Sequence, residues 1–496
     1  MTFQQLIELC DPIDVTGDPV STIGALRHDS RNVEENDVFI AVRGLRTDGH
    51  DHIPEAASRG ASVLVCEQNT KDLPSGVAAI LVKETRPLLG PLAQAFAGYP
   101  AREMTLVGIT GTNGKTTVAT LIWQVLKELG AAPALLGTVA KRYGNQTFPS
   151  SLTTSDPIEL AEDMKQMAKA RSTHLVMEVS SHALSQDRTL GLSFDLAVFT
   201  NLSHDHLDYH GHMEQYAVAK KKLFDQLPEQ SWALINVDDS HWETMIANCR
   251  ANILDFSFTQ NSSVQCEILE MNETGTTVRV DDVTVTTPLI GRFNAYNLAE
   301  AYLASTLLGF EAKAVAEALK HCQGAAGRLE KVSAEHTDIN LPVVLVDYAH
   351  TPDALQNVAE TVAALRKKGE KLILLFGCGG DRDRAKRPVM ARVAESVADQ
   401  IIVTSDNPRS EEPEKIIREI ENGFSSSANW TSIPSREEAI RQAIQTAPSN
   451  SWILIAGKGH ETWLESAGKK IQFDDRKIAS DALNRRAREQ KAGGIH

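Results

Sequence analysis

The hydrophobic positions of the chain fall into short apolar runs, most of which end in polar residues. The runs are DVFIAV, ASVLVC and AAILV in the first 100 residues, then TLVGIT, THLVMEVSS, LAVFTNLS and WALINVDD, and finally LPVVLVDYAH, KLILLFGCGGDRD, DQIIVTSDNPR and SWILIAGKGHE. A helix is expected over 352–368, after LPVVLVDYAH. Further helices are expected after KLILLFGCGGDRD and after DQIIVTSDNPR. Strands that alternate with helices predict parallel sheets, and ligands collect beyond the C-terminal ends of such strands.

Breaks in this pattern divide the chain. Gly98 and Pro100 in GYPAREM mark one boundary, and GAAGRLEKV marks a second before a new series of strand–helix units. The segment VQCEILEMNETGTTVRVDDVTVTTPL alternates with period two, which indicates antiparallel strands beside the central region. A length of 496 residues also favours about three domains over a single core.

Composition narrows the class of protein. Hydrophobic residues make up 42% and charged residues 23%, as in ordinary globular proteins, and the net charge of −15 disfavours nucleic-acid and anionic-membrane partners. Six cysteines without a CxxC pair suggest reduced thiols. The start MTFQQLIELCDPID does not resemble a signal peptide, and no run reaches the ~18 apolar residues of a membrane helix. We therefore expect a soluble, cytoplasmic protein.

The segment VGITGTNGKTTVATLI is the strongest local signal. The usual phosphate loop has four residues between its first glycine and Gly-Lys-Ser/Thr, a count that neither Gly108 nor Gly111 fits here. Glycines before a helix start nevertheless let backbone N–H groups surround an anion. Lys115 can reach the β- and γ-phosphates, and the Thr116 hydroxyl can bind Mg²⁺. An incidental glycine turn explains this combination poorly.

GTNGKTT resembles the ATP loop of the Mur ligase superfamily, which joins an amino acid to a carboxylate through an acyl phosphate and includes folylpolyglutamate synthetases. Further resemblances follow in order along the chain: DSRNVEENDVFIAVRG, TTSDPIEL, MEVSSHALSQDR, NLSHDHLDYHG, YAVAKKKLF, GRFNAYNLAEA, GRLEKV, VDYAHTPDAL, GCGGDRDRAKRP, DNPR and GKGHE. Together they resemble the members that add the third residue to the cell-wall precursor UDP-MurNAc-L-Ala-D-Glu.

This resemblance implies an α/β fold of three domains. A mixed α/β uridine-nucleotide module is expected over 1–100, a central P-loop-type ATPase domain over 101–330, and a C-terminal Rossmann-like, doubly wound domain that binds the amino acid over 331–496. It also implies ATP as co-substrate, Mg²⁺ as cofactor, small-molecule substrates and a monomer. Neither nucleic acid nor membrane is expected as a partner.

For ATP, the resemblance implies a set that extends from the loop into later motifs: Gly111, Thr112, Asn113, Gly114, Lys115, Thr116, Thr117, Asn294, Arg328 and Asp347. Arg328 is expected to neutralise the transferred phosphoryl group. Asp347 at a strand end could equally be a simple cap, and the role of His350 beside it stays open.

The implied metal ligands are Thr116, Glu178, His206 and Lys220. Without the resemblance, Glu178 could be a helix cap or a surface acid, and the His-rich stretch could suggest zinc. We expect His204 and His210 to be structural. Lys220 is implied to be carbamylated by CO₂ (N6-carboxylysine), whereas Lys221 and Lys222 are expected on a solvated helix face. The residues with catalytic roles are Lys115, Glu178, His206, Lys220 and Arg328.

The same resemblance assigns the two remaining substrates. The UDP-MurNAc-dipeptide set is His28, Ser30, Leu45, Arg46, Thr47, Thr153, Thr154, Ser180, Gln186 and Arg188. Asn36 stands where many relatives carry glycine, and asparagine tolerates the left-handed backbone conformation that such a turn needs. The set for meso-diaminopimelate is Arg382, Asp406, Asn407, Pro408, Arg409, Gly457 and Glu461. Arg409 suits a second carboxylate, which lysine lacks, and Glu461 suits an ammonium.

The expected reaction is amide formation at the D-glutamyl γ-carboxylate. A lysine-adding ligase, a folylpolyglutamate synthetase-like enzyme and a non-catalytic nucleotide-binding paralogue remain as alternatives. A serine hydrolase is disfavoured because SSH is not part of a GxSxG elbow. For DNPR, an Asx-Pro turn with a solvated arginine remains as the minor alternative to acceptor binding.

Overall fold

The N-terminal part of the computed structural model is a five-stranded sheet in the order β1-β5-β4-β3-β2, in which only β1 is antiparallel to its neighbour. Its elements are α1 (Phe3–Cys10), β1 (Asp14–Thr16), β2 (Leu26–Arg27), β3 (Val38–Ile40), α2 (Ile53–Ser58), β4 (Val63–Cys66), β5 (Ala78–Leu81) and α3 (Arg86–Ala97). The central strands β3 and β4 are buried on both faces: in β4, for example, Val63 packs in one apolar cluster and Leu64 in another. Asn36 has φ +68°, as its place in the turn predicts.

The structure describes residues 1–44, 47–68, 74–335 and 340–493. The chain divides into two units, the first formed by Met1–Cys266 with Ala299–Ala318 and the second by Glu267–Leu298 with Leu319–His496. Within the described residues, no helix is long and apolar enough to span a bilayer.

The rest of the first unit is built on a mostly parallel sheet. Its elements are β6 (Thr105–Thr110), α4 (Lys115–Glu128), β7 (Pro133–Leu136), β8 (Ala140–Tyr143), β9 (Gln146–Pro149), α5 (Pro157–Lys169), β10 (His174–Glu178), α6 (Ser181–Ser185), β11 (Leu196–Phe199), α7 (Leu207–His210), α8 (Met213–Asp225), β12 (Trp232–Asn236), α9 (Trp242–Ile246) and β13 (Asn252–Ser257). Strands run in the order β13-β12-β11-β6-β10-β7-β8-β9, and β13 to β7 are parallel. The ends of β6, β10 and β11 therefore share one edge.

The period-two segment forms β14 (Val264–Asn272), β15 (Gly275–Val280) and β16 (Val283–Thr287), followed by α10 (Arg292–Leu307) and α11 (Ala312–Leu319). The prediction of antiparallel pairing is confirmed for β15 and β16. It is wrong for the start of β14, where Val264 pairs in parallel with Phe256 because β14 continues the parallel run at the sheet edge.

The second unit contains a six-stranded sheet in the order β17-β18-β22-β19-β20-β21. Its elements are β17 (Glu330–Val332), β18 (Val343–Asp347), α12 (Pro352–Leu365), β19 (Lys371–Phe376), α13 (Lys386–Val397), β20 (Gln400–Val403), α14 (Pro413–Glu421), β21 (Trp430–Ser432), α15 (Arg436–Thr446), β22 (Ser451–Ala456), the hairpin β23 (Trp463–Ser466) and β24 (Lys469–Gln472), and α16 (Asp475–Gly493). Helices α12 to α14 pack on one face, while α15 and α16 pack on the other. The predicted doubly wound α/β arrangement is confirmed.

Helix α12 begins as predicted, because the Thr351 hydroxyl caps the N–H of Ala354 and Pro352 occupies the first turn. It ends at Leu365, three residues before the predicted end, because Arg366 is extended.

Candidate active site

The loop between β6 and α4 needs both of its glycines. Gly111 has φ +152°, and a Cβ there would lie 1.9 Å from the Thr200 hydroxyl, so the loop approaches the end of β11 too closely for a side chain. Gly114 has φ +87° immediately before α4. Lys115 lies back over the loop, with Nζ donating to the carbonyls of Gly111 and Thr112 at 2.8 Å each. This places an ammonium at a helix N-terminus, as an anion site requires.

Residues after β11 hold the loop in place. The side-chain oxygen of Asn201 accepts a hydrogen bond from the backbone N–H of Asn113 at 3.0 Å. The backbone carbonyl of Asn201 accepts one from the N–H of Thr112 at 2.8 Å. The Thr200 hydroxyl donates to the Asn113 carbonyl at 2.6 Å. The sequence interpretation did not assign roles to Thr200 and Asn201, although Asn201 is the first residue of the NLSHDHLDYHG motif that it used and Thr200 directly precedes it.

Glu178 is buried at the end of β10 and is pinned by three hydrogen bonds. Its Oε2 accepts from the hydroxyls of Thr116 at 2.9 Å and Thr138 at 3.1 Å, while Oε1 accepts from the Thr138 N–H at 2.7 Å. A Cβ at Gly137 would lie 2.3 Å from Oε1. Glu178 is therefore neither a surface acid nor a helix cap.

The oxygens of Thr116 and Glu178 suit a hard cation such as Mg²⁺, which prefers oxygen ligands and is commonly held by one or two protein groups plus phosphate. Within the described parts of the chain, no three His, Cys, Asp or Glu side chains are grouped to hold a metal ion.

His206 stands at the start of α7 with φ +54°, and its side chain is 46% exposed. Its ring is 4.8 Å from that of His182, and partial burial, with added repulsion from Lys115 and Lys220, lowers the pKa of His206. His210 contacts the Ser181 hydroxyl through Nε2 at 2.9 Å, and burial lowers the pKa of His210 to about 4. His204 is exposed.

Lys220 is buried on α8 and donates to the Gly111 carbonyl at 2.7 Å, with Nζ 4.6 Å from the centre of the Tyr216 ring. Burial, reinforced by the charge of Lys115, holds the pKa of Lys220 well below its ordinary value. This favours the neutral amine that carbamylation requires. The expectation for Lys221 is wrong: its side chain is 11% exposed and pairs with Asp225. Lys222 pairs with Asp187 at 3.0 Å.

Five residues predicted to bind the muramoyl-dipeptide form a connected group around Glu178. Thr153 contacts Thr138 through their hydroxyls at 3.0 Å, and the Thr154 hydroxyl donates to the Glu178 carbonyl at 2.9 Å and accepts from the Ser180 N–H at 3.1 Å. Arg188 donates to the Thr154 carbonyl and, through Nε and Nη2, to Gln186 Oε1.

The N-terminal candidates are more dispersed. His28 Nε2 lies 3.4 Å from the carboxylate of Asp156, the cap of α5, and the buried Ser30 donates to Glu55 at 2.7 Å. The exposed Thr47 accepts from the Gly44 N–H through its carbonyl. Leu45 and Arg46 lie outside the described residues.

Within the second unit, Asp347 ends β18 and accepts from the N–H groups of Leu329 at 2.6 Å and Ala349 at 2.7 Å. Burial raises the pKa of Asp347, and the charge of Arg328 opposes this rise. The guanidinium of Arg328 lies 4.8 Å from the centre of the Tyr348 ring. Asp347 thus holds the turn after β18 and the residue that follows Arg328, whereas the cap of α12 is Thr351; this role is compatible with an additional ligand. Asn294 is buried and donates to the Ile290 carbonyl at 2.8 Å.

The ends of β19, β20 and β22 bring together most of the predicted acceptor set. Asn407 Nδ2 donates to Glu461 Oε2 at 2.8 Å, and a Cβ on Gly457 would lie 2.7 Å from Asp406 Oδ2. Arg409 has φ +54° and donates through Nη1 to the Gly380 carbonyl at 2.8 Å. A Cβ at Gly380 would lie only 1.9 Å from the Pro408 carbonyl oxygen, so the two loops approach closely there. Arg382 is exposed and donates to the Asp381 carbonyl at 3.1 Å.

Two buried arginines, which the sequence interpretation missed, support these loops. Arg436 pairs with Asp475 and donates to the carbonyls of Ser405 at 3.3 Å and Ala456 at 2.9 Å, directly before Asp406 and Gly457. Arg387 pairs with Glu411 and Glu419 and donates to the Gly379 carbonyl. Their partners are distant in sequence, so no local signal identifies them.

Three family descriptions match consecutive parts of the chain. Residues 22–97 match the Mur ligase family catalytic domain, 109–305 the Mur ligase middle domain, and 327–459 the Mur ligase glutamate ligase domain. The chain is 41% identical over 488 residues to UDP-N-acetylmuramoyl-L-alanyl-D-glutamate–2,6-diaminopimelate ligase of Cytophaga hutchinsonii, covering 98% of this chain and 99% of the relative. The ligase of the same name from Geobacillus kaustophilus is 41% identical, with 94% and 95% covered.

The fold of the chain is also similar to solved structures. A structure of UDP-N-acetylmuramoyl-L-alanyl-D-glutamate–2,6-diaminopimelate ligase matches with a TM-score of 0.72 at 32% identity, covering 98% of this chain and 99% of that one. Folylpolyglutamate synthase of Mycobacterium tuberculosis, complexed with ADP and AMPPCP, matches with a TM-score of 0.60 at 19% identity over 75% and 92%, a likeness of fold alone.

Proposed function

The chain belongs to the Mur ligase family, and we propose that it is the ATP-dependent ligase that adds meso-diaminopimelate to the D-glutamyl γ-carboxylate of UDP-MurNAc-L-Ala-D-Glu in peptidoglycan precursor synthesis. The observation that carries the proposal is end-to-end similarity to ligases of that name. Beyond the second unit's sheet, Asn407 is hydrogen-bonded to Glu461, and Arg409 follows two positions later with its Nε 3.7 Å from the carboxylate of Glu465. This grouping of an arginine with acidic side chains supports the choice of acceptor.

The reaction has two chemical steps. A γ-carboxylate oxygen attacks the γ-phosphorus of ATP, the bond to the bridging oxygen breaks, and an acyl phosphate and ADP form. The acceptor amine then attacks the carbonyl carbon and loses its proton, and phosphate leaves from the tetrahedral intermediate. Positioning and charge neutralisation supply most of the catalysis in such phosphoryl transfers.

The loop and its surroundings act on the first step. Residues 111–117 hold the phosphates with their N–H groups and with Lys115, while Asn294, Arg328 and Asp347 provide further contacts to ATP. Thr116, Glu178, His206 and a carbamate on Lys220 would hold magnesium, which supplies positive charge to the phosphates. Carbamylation forms a bond between Lys220 Nζ and the carbon of CO₂ and releases a proton.

The remaining groups orient the two other substrates. Thr153, Thr154, Ser180, Gln186 and Arg188 bind the muramoyl-dipeptide, and His28, Ser30 and the 45–47 segment bind its uridine nucleotide. Arg409 pairs with the distal carboxylate of diaminopimelate, a contact that lysine cannot make. Arg382, Asp406, Pro408 and Gly457 shape the surrounding pocket, and Glu461 accepts from the distal ammonium.

We also propose a monomer that acts in the cytoplasm, with its domains at 1–100, 101–330 and 331–496. The six cysteines, all among the residues that the structure describes, form no disulfide with one another, in accord with a reducing compartment.

One experiment tests the reaction and its acceptor together. The purified protein is given ATP, Mg²⁺ and UDP-MurNAc-L-Ala-D-Glu with meso-diaminopimelate, L-lysine or L-glutamate, and phosphate and product are measured. Phosphate release that needs all three substrates, with diaminopimelate preferred, is expected. Preference for lysine or glutamate, or no release at all, contradicts the proposal.

A further inference from the structure

Lys458 lies between two residues of the proposed acceptor pocket and is itself completely buried. Its Nζ donates to Asn407 Oδ1 at 3.0 Å and to Glu461 Oε2 at 2.8 Å. It follows Gly457 at the end of β22, so the sheet fixes where its side chain begins. No role was assigned to this lysine from the sequence.

The Asn407 amide has one orientation in this network. Its Oδ1 accepts from Lys458 Nζ and from the N–H of Glu465 at 2.9 Å, while Nδ2 donates to Glu461 Oε2 at 2.8 Å. Rotating the amide by half a turn would direct its NH₂ at two donors. The lysine therefore helps to set which edge of Asn407 faces Glu461.

Glu461 is held through one oxygen. Its Oε2 accepts from both Lys458 and Asn407, its side chain is 17% exposed, and Oε1 accepts no hydrogen bond from the side chains or backbone that the structure describes. A carboxylate fixed in this way keeps its second oxygen for a ligand. The natural partner is a cation.

We propose that Lys458 is a positioning residue for the acceptor: it orients Asn407 and holds Glu461 so that Glu461 Oε1 receives the distal ammonium of diaminopimelate. This inference rests on the proposed function. It adds that the recognition of this ammonium depends on a buried cation that does not touch the acceptor.

The test compares meso-diaminopimelate with L-2-aminopimelate, which keeps the distal carboxylate but lacks the distal ammonium. For the wild-type protein, kcat/KM for diaminopimelate should be roughly 10- to 100-fold higher. In Lys458→Met this ratio should fall to within about threefold of one, with KM for ATP changed less than about twofold. A purely structural role would lower kcat/KM for both acceptors by the same factor and leave the ratio unchanged, which would overturn the proposal.

Two further variants sharpen the test. Glu461→Gln should lower the ratio to the same extent, and the double variant Lys458→Met/Glu461→Gln should lower it no further, because both changes remove one interaction. If the two single effects on the ratio multiply in the double variant, Lys458 does not act through Glu461, and the proposal is contradicted. Lys458→Arg keeps the cation and should retain most of the wild-type ratio.

Lys141→Met is the matched control, because Lys141 is also buried and pairs with two carboxylates, Glu159 and Asp163, but lies in the first unit. Its acceptor ratio should remain that of the wild type. If Lys458→Met does not fold, Lys458→Gln serves in its place, and an unchanged ratio there overturns the inference. A wild-type protein that ligates neither acceptor refutes the proposed function itself, whereas one that ligates both equally refutes this inference and the role of Glu461 but not the ligase reaction.

Discussion

Arg436 and Asp475 form an ion pair in which neither side chain is exposed, with Nη2 2.7 Å from Oδ2. The same guanidinium donates to the carbonyls that precede Asp406 and Gly457. One buried arginine thus joins the ends of β20 and β22 to the first turn of α16.

Removing Arg436 should destabilise the protein strongly. Arg436→Met leaves the Asp475 carboxylate buried without its partner, which should cost about 3–5 kcal/mol of unfolding free energy in urea denaturation. The double variant Arg436→Met/Asp475→Asn should recover part of this loss, because it leaves no uncompensated charge. On the same helix, Arg441 forms an exposed pair with Glu437, so Arg441→Met should cost less than about 1 kcal/mol. Equal losses for the two arginines would contradict the special role of Arg436.

The Arg387–Glu411 ion pair should contribute to the loss of folding stability at low pH. Arg387 holds the pKa of Glu411 at about 2, below its ordinary value of 4.5. The free energy of unfolding that this pair contributes is therefore complete above about pH 4.5 and is lost as the pH falls towards 2. In thermal unfolding between pH 5 and 2, Glu411→Gln should be less stable at the upper end and show a flatter decline. A decline as steep as that of the wild type would refute this assignment.

Lys115→Ala should abolish ligation while the fold persists, because the loop loses its ammonium. We expect kcat/KM to fall by at least about a thousandfold, with an unchanged circular dichroism spectrum. Lys127→Ala at the other end of α4 is the control and should retain activity. Near-normal turnover of folded Lys115→Ala would refute the ATP site.

Lys220→Ala should be nearly inactive and partly restored by small carboxylic acids, which replace the carbamate anion. Mass analysis of the native wild-type protein should detect one added CO₂ on Lys220. The neighbouring Lys221→Ala is the matched control, because Lys221 pairs with Asp225 instead, and it should need no rescue. Fully active protein with unmodified Lys220 would contradict the carbamate.

Arg409→Ala should lower the preference for diaminopimelate over lysine by roughly 10- to 150-fold, the range expected for one charged hydrogen bond of about 1.5–3 kcal/mol. KM for ATP should change little. Arg418 is exposed on α14, and Arg418→Ala should keep the wild-type preference. Efficient use of lysine by the wild type would show that Arg409 does not select the acceptor.

The phosphate loop and the strand ends were predictable from the sequence because their signals are local. Gly111, Gly114 and Lys115 lie within five residues, and Asp347 and Asp406 each follow an apolar run. The contacts of Lys458 with Asn407 span 51 positions, and those of Arg436 with Asp475 span 39. Such pairs depend on the order of the strands in the sheet, which apolar runs alone do not specify.

Gly137 lies against the Glu178 carboxylate, so the geometry of this carboxylate depends on the absence of a side chain at position 137. A side chain there would force a shift of the Glu178 carboxylate, which three hydrogen bonds hold in place, although position 137 lies outside the loop that marks the nucleotide site. A gene copy that acquired alanine at this position would keep GTNGKTT intact and lose the carboxylate geometry beside it. Among chains that carry this loop, the residue at position 137 should therefore separate working ligases from inactive descendants.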